Sequence, residues 1–192
     1  EAAGVIRDRL VRMLQTDVRR YPRTRRYEGR DISWFDMIEH DRPDDAQIIS
    51  WLMAYDPEFL RRWEPHLPPA FCGVRREDIL QRYRSRVENG DSRNWYFKDI
   101  TNVSVVLPED DGARLRKELA AFGYIVSGDG NTYTAAGPDI SITVNPGDLP
   151  HTGIRTFTVS LNHEKTGNRE YSFGPQCSLT FGDDLSATWT LH

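Results

Sequence analysis

The stretch Asn102-Val103-Ser104-Val105-Val106-Leu107-Pro108-Glu109-Asp110-Asp111-Gly112-Ala113-Arg114-Leu115 passes from one structural period to another within a few residues. Up to Leu107, apolar Val103, Val105 and Leu107 alternate with polar Asn102 and Ser104, which is the period of a half-buried strand. Pro108 then suits the start of a helix, and Glu109, Asp110 and Asp111 put negative charge where the helix dipole favours it. Leu115, Leu119 and Phe122 recur at helical spacing until Gly123 ends the run. Beyond it, Ile125 to Ser127, Thr132 to Ala135 and Ile140 to Val144 are strand-like runs separated by turn residues. The pattern predicts a βαβββ unit.

Working outward, Ile154 to Leu161 is a further strand, and Arg169 to Phe181 with Ser186 to Leu191 predicts a hairpin turning at Gly182-Asp183-Asp184. On the N-terminal side, Arg26 to His40 and Gln47 to Tyr55 predict an aromatic hairpin broken at Asp41-Arg42-Pro43-Asp44-Asp45. Asp56 as cap and Pro57 as first residue predict a short helix to Trp63. Val74 to Val87 predicts another helix, and Ile6, Leu10, Met13 and Leu14 put an apolar stripe on an N-terminal one. The expected fold class is α+β. Residues 1–56 form a degenerate N-terminal module of helix plus hairpin, 57–94 a helical bridge, and 95–192 the βαβββ module with its appended hairpin.

The chain has 192 residues, 25 basic and 29 acidic side chains and a net charge of −4, which argues against a nucleic-acid partner. The first hundred residues hold 19 basic and 18 acidic side chains, the remainder 6 and 11. Basic chemistry is thus confined to the N-terminal half, above all to Arg19, Arg20, Arg23, Arg25, Arg26 and Arg30. That segment reads as a solvated loop leading into a strand, with an anion or nucleic-acid patch as the functional alternative. No run is long and apolar enough to span a membrane. Cys72 and Cys177 are too few for a disulfide framework; one disulfide between the halves is open, and two ordinary thiols are expected. A chain opening at Glu1 rather than Met is expected to have lost an upstream segment, and its compartment is not readable.

The βαβββ unit over residues 101–146 resembles the module of the glyoxalase and bleomycin-resistance superfamily, the vicinal oxygen chelate fold, in which two modules make a cup. Lys98-Asp99-Ile100-Thr101, Ala121-Phe122-Gly123-Tyr124, Ser172-Phe173-Gly174-Pro175 and Ala187-Thr188-Trp189-Thr190 are similar to phrases of a bacterial glyoxalase-like family of unknown function. In that family a degenerate first module precedes a region like Met53 to Leu60. The resemblance implies that this chain enters its first module at the helix, leaving that module incomplete. It also implies where metal ligands would stand. Those places hold Asn102, Ser141 and the Arg155–Thr156 pair, and neutral amide and hydroxyl oxygens bind first-row divalent metals poorly without imidazole or carboxylate support.

His40, His66, His151, His163 and His192 show no i, i+4 spacing and read as surface or capping residues. The Gly128-Asp129-Gly130-Asn131 run lacks the later glutamate of a calcium loop and reads as a hairpin turn. No phosphate-binding glycine loop, nucleophile elbow or cysteine–histidine pair is present. No metal and no cofactor are expected.

Strand parity gives the sharper expectation. Val103, Val105 and Leu107, with Ile140, Ile142 and Val144, and with Phe157, Val159 and Leu161, should pack under the helix. The opposite parity carries Asn102, Ser104, Ser141, Thr143, Thr156, Thr158 and Ser160. In a cup this is a concave lining rich in hydroxyls, suited to a small neutral or polar organic ligand, with aromatic walls from Trp34, Trp51 or Trp95. The ordinary alternative is a sheet face that simply meets water. Two further functions are consistent with the same residues. One is an isomerase or lyase polarising a carbonyl in that cup; the other is an interaction module that uses the arginine-rich segment and an exposed sheet edge. The expected partners are a small-molecule ligand and a protein or second copy completing the N-terminal module, with no nucleic acid and no membrane.

Overall fold

The computed structural model describes residues 2–63, 81, 96–148 and 150–192, and the elements bounded within them are three helices and the strands of two sheets. The class is α+β, dominated by strands. Two compact units are formed, Glu1–Arg42 with Ser50–Asn94, and Pro43–Ile49 with Trp95–His192. The expected helix over Val74 to Val87 (Gln81 apart), along with Cys72, Trp95 and His66, falls outside the described residues.

In the first unit, helix α1 (Ala2–Leu14) buries Leu10. Strands β1 (Val18–Tyr27), β2 (Arg30–His40) and β3 (Leu52–Tyr55) form an antiparallel sheet in that order. The arginine-rich segment is therefore a strand, not the loop expected from its charge. It hides as a strand because almost every side chain along β1 is exposed, so no apolar alternation is written into it. The expected hairpin is present, β2 pairing antiparallel with β3 across the connection that begins at residues 41–45, and a further hairpin, β1 with β2, turns at Glu28-Gly29. Both turn residues have positive φ, 48° and 77°, the two-residue geometry whose twist matches the flanking strands. Helix α2 (Pro57–Trp63) starts as expected, with Asp56 Oδ1 accepting from the amides of Glu58 and Phe59 at 2.8 and 3.4 Å.

The second unit is one eight-stranded sheet with a single helix. Strands β4 (Phe97–Leu107), β5 (Ile125–Ser127), β6 (Tyr133–Ala136), β7 (Ser141–Pro146), β8 (Gly153–Leu161), β9 (Glu170–Ser172), β10 (Cys177–Phe181) and β11 (Ser186–Leu191) are ordered β5-β6-β7-β4-β8-β11-β10-β9. Among the described strands only the β4–β7 pair is parallel. The order is palindromic about the β4–β8 pair: each half runs first, fourth, third, second strand outward from the centre. The appended hairpin is three strands rather than two, because the chain bends between Ser172 and Cys177 at Gly174, whose φ is +94°.

Helix α3 (Glu109–Ala121) lies on one face of the first half. Leu115 and Leu119 bury against Val105, Leu107, Tyr133, Ala135 and Val144. Its end is closed by Gly123 at φ +93°, with Gly123 N–H donating to Ala120 O and Tyr124 N–H to Leu119 O, so two orphan carbonyls are satisfied. Strand β8 was expected under the same helix. Instead Leu161 buries with Leu179, Phe181 and Ala187 in a second cluster flanked by Val159, Tyr171 and Trp189. Geometry explains the split, since a helix about 10 Å wide covers only two or three strands spaced about 4.8 Å apart.

Candidate functional site

The register across the large sheet places side chains in rows, because directly paired residues share a face. One row reads Ser127, Thr134, Thr143, Ser104, Thr156, Thr190, Ser178, Ser172, with one residue from every strand and a hydroxyl at each. The neighbouring row, two residues along, reads Ile125, Ala136, Ser141, Asn102, Thr158, Thr188, Thr180 and ends on Glu170, so it is apolar at its first two strands. Six of the sequence-predicted site residues, Asn102, Ser104, Ser141, Thr143, Thr156 and Thr158, thus come together at the centre of one face. Most of the two rows is half-buried.

Within the rows, Asn102 is fixed by its neighbours. Its Nδ2 donates to Ser141 Oγ at 2.8 Å and to Thr143 Oγ1 at 3.2 Å. The Ser141 hydroxyl in turn donates to Thr101 O at 3.2 Å, and the Thr101 hydroxyl to Thr158 O at 3.2 Å. The amide is held across β4 and β7 by side-chain bonds added to the backbone ladder. Glu170, at the outer end of the second row, is the single charged residue in the two rows.

Parity followed along β4, β7 and β8 alone misses Ser127 and Thr134 of β5 and β6, and Ser172, Ser178, Thr180, Thr188 and Thr190 beyond β8. The signal was available. Ser178-Leu179-Thr180-Phe181 and Ala187-Thr188-Trp189-Thr190 alternate hydroxyl with apolar residues in phase with the first half.

The opposite face is apolar, and among the described residues two cavities lie on it. One, of about 310 Å³, is lined by Phe97, Ile100, Phe157, Val159 and Trp189. The other, of about 320 Å³, lies between the edge of helix α3 and Gln47 and Ile48, over Val103, Val105 and Ile142. The segment carrying Gln47 is tied down by a buried pair: Asp111 accepts from the Gln47 amide at 2.7 Å and from Arg114, which also reaches Ile48 O at 3.2 Å.

Trp34 and Trp51 belong to the other unit. Trp51 precedes β3 and is exposed. Trp34 lines a cavity of about 350 Å³ with Arg25, Tyr27, Ile32, Phe59 and Arg62. It is the bulged residue of β2, since Ser33 pairs with Thr24 and Phe35 with Arg23, and bulges re-aim side chains in this way.

Among the described residues no group of three His, Cys, Asp or Glu is arranged to hold a metal ion. His40 is buried and bonded, Nδ1 to Asp41 O at 3.0 Å and Nε2 to the Ser50 hydroxyl at 3.5 Å, so it braces the end of β2. No described helix is long and apolar enough to cross a membrane. No curated protein and no solved structure matches the chain. A family model does match, over residues 4–191, and on that coverage the chain belongs to a family of unknown function, DUF5829.

Proposed function

We propose that this protein binds a small neutral or polar organic molecule on the hydroxyl face of its eight-stranded sheet, as a metal-free member of the glyoxalase-like fold. The observation that carries the reading is the unbroken row of eight serine and threonine side chains, one from each strand. A hydroxyl both donates and accepts, so the face can meet a ligand's carbonyl and hydroxyl groups alike. It has no interior charge to hold an ion. With both Nδ2 hydrogens of Asn102 engaged, its amide oxygen is the atom left to accept from a ligand, and Thr143, which accepts from Asn102, keeps its own hydrogen to donate. The palindromic strand order supports the cup-like reading, since it sets two four-stranded halves side by side. Asn102 and Ser141, where the related enzymes hold metal with His or Glu, support binding without a metal.

Saturation-transfer NMR of neutral fragments bearing a carbonyl and a hydroxyl, against the wild-type protein and the Ser104→Ala/Thr156→Val variant, tests the reading. Fragments that bind the wild type should lose most of their signal with the variant, whose melting temperature is the control for folding. Binding that survives in the variant, or binding confined to charged fragments, contradicts it.

A further inference from the structure

The cavity in the first unit has a chemistry unlike the hydroxyl face. Its described lining residues supply three aromatic rings, one aliphatic side chain and two guanidinium groups. Arg25 stacks over the Trp34 ring at 5.4 Å and Arg62 over the Tyr27 ring at 5.9 Å, while Trp34 and Phe59 pack at 6.0 Å. A stacked guanidinium uses its flat face and leaves the in-plane fork of N–H donors available for a planar acceptor.

Donors outnumber acceptors around this space. Arg62 is partly neutralised, since it pairs with Glu58 Oε1 at 2.6 Å. Arg25 makes no ion pair and donates no hydrogen bond among the described residues. The indole N–H of Trp34 is buried and has no partner, which is costly unless a ligand supplies an acceptor. Two guanidinium groups and a phenol border flat apolar walls beside the buried indole of Trp34, and among the described residues no carboxylate lines the cavity.

We infer that this cavity is a second ligand site, independent of the hydroxyl face, that takes an aromatic acid: a flat ring between Trp34, Phe59 and Tyr27, with its carboxylate on Arg25. The β2 bulge is what turns Trp34 into the space between the hairpin and helix α2. The volume of about 350 Å³ suits one or two fused rings and is at the lower end for small-molecule sites.

The probe is 1-naphthoate, compared with the uncharged 1-naphthamide of nearly the same shape, titrated into the full-length ¹⁵N-labelled protein. The indole N–H resonance of Trp34, assigned from Trp34→Phe, is the readout. Naphthoate should move that resonance saturably and bind about tenfold more tightly than the amide, the effect of one charge-assisted contact. Arg25→Gln should remove about that tenfold advantage and leave amide binding unchanged, whereas Arg25→Lys should keep part of it. Ser104→Ala/Thr156→Val should change nothing, which separates this site from the sheet face. Equal affinity for acid and amide, no saturable shift at Trp34, or naphthoate binding indifferent to both Arg25 variants in protein of native melting temperature would overturn the assignment.

Discussion

Tyr133 buries its ring against helix α3 and donates its hydroxyl hydrogen to Gly112 O at 2.8 Å, while Arg116 lies over its face at 5.3 Å. Burial disfavours the phenolate and pushes the phenol's pKa up from 10.0 to about 12, against a smaller opposing pull from Arg116. For a group whose folded pKa is raised, the stabilisation is complete below the unfolded pKa and is lost as pH climbs through the folded one. The protein should therefore lose stability between about pH 10 and 12, and Tyr133→Phe should lack that component. At pH 7 the same variant should lose about 1 kcal/mol, the net worth of one buried hydrogen bond, by urea denaturation. An unchanged alkaline profile in the variant would place the titration elsewhere. Metal ligation belongs to the same scale. A site of useful affinity would add about 4 kcal/mol to folding once free metal exceeded its dissociation constant a thousandfold. Excess zinc, manganese or nickel, or EDTA, should leave the melting temperature of tag-free protein where it was, because neither Asn102 nor Ser141 offers imidazole or carboxylate.

At the scale of elements, two turns carry clear consequences. Glu28 and Gly29 both sit at positive φ, and the first of these positions prefers asparagine, which tolerates the left-handed region. Glu28→Asn should stabilise the first unit by about 0.5–1 kcal/mol, part of the roughly 1–2 kcal/mol that the left-handed region costs most residues and that Asn offsets by local hydrogen bonding. Gly123 closes helix α3 at φ +93° with open space around its missing side chain, so Gly123→Ala should cost about 1 kcal/mol through the backbone alone. Chemical denaturation of both variants checks the opposite signs. These elements also show what was legible beforehand. Strand β4, helix α3 and the three strands after it could be read because Val103, Val105 and Leu107 keep one period and Leu115 and Leu119 another. Strand β1 could not, since its arginines face solvent and its pairing depends on the β2 register rather than on any pattern of its own. Half of the hydroxyl rows was readable from parity. Their continuity was not, because it depends on long-range pairings such as Thr156 with Thr190, which no local period encodes.

For the whole molecule, the long sheet has its strength at the centre. Strands β4 and β8 are the longest and pair with each other, while the edges β5 and β9 have three residues each. Short edges present few unpaired backbone groups to other chains. Amide exchange should follow this layout, slowest in β4, β8 and β7 and fastest in β5 and β9, with intermediate protection in β10 and β11. The central claim concerns the face that those strands share. Seven of its residues are threonines (Thr134, Thr143, Thr156, Thr158, Thr180, Thr188 and Thr190), so methyl NMR of protein labelled with ¹³C at threonine watches the face directly. With a neutral fragment that binds by saturation transfer, the methyls of Thr143, Thr156 and Thr158 should shift together and saturably, while Thr16 and Thr24 of the first unit stay still. Saturable binding that leaves those three methyls unmoved would contradict the account.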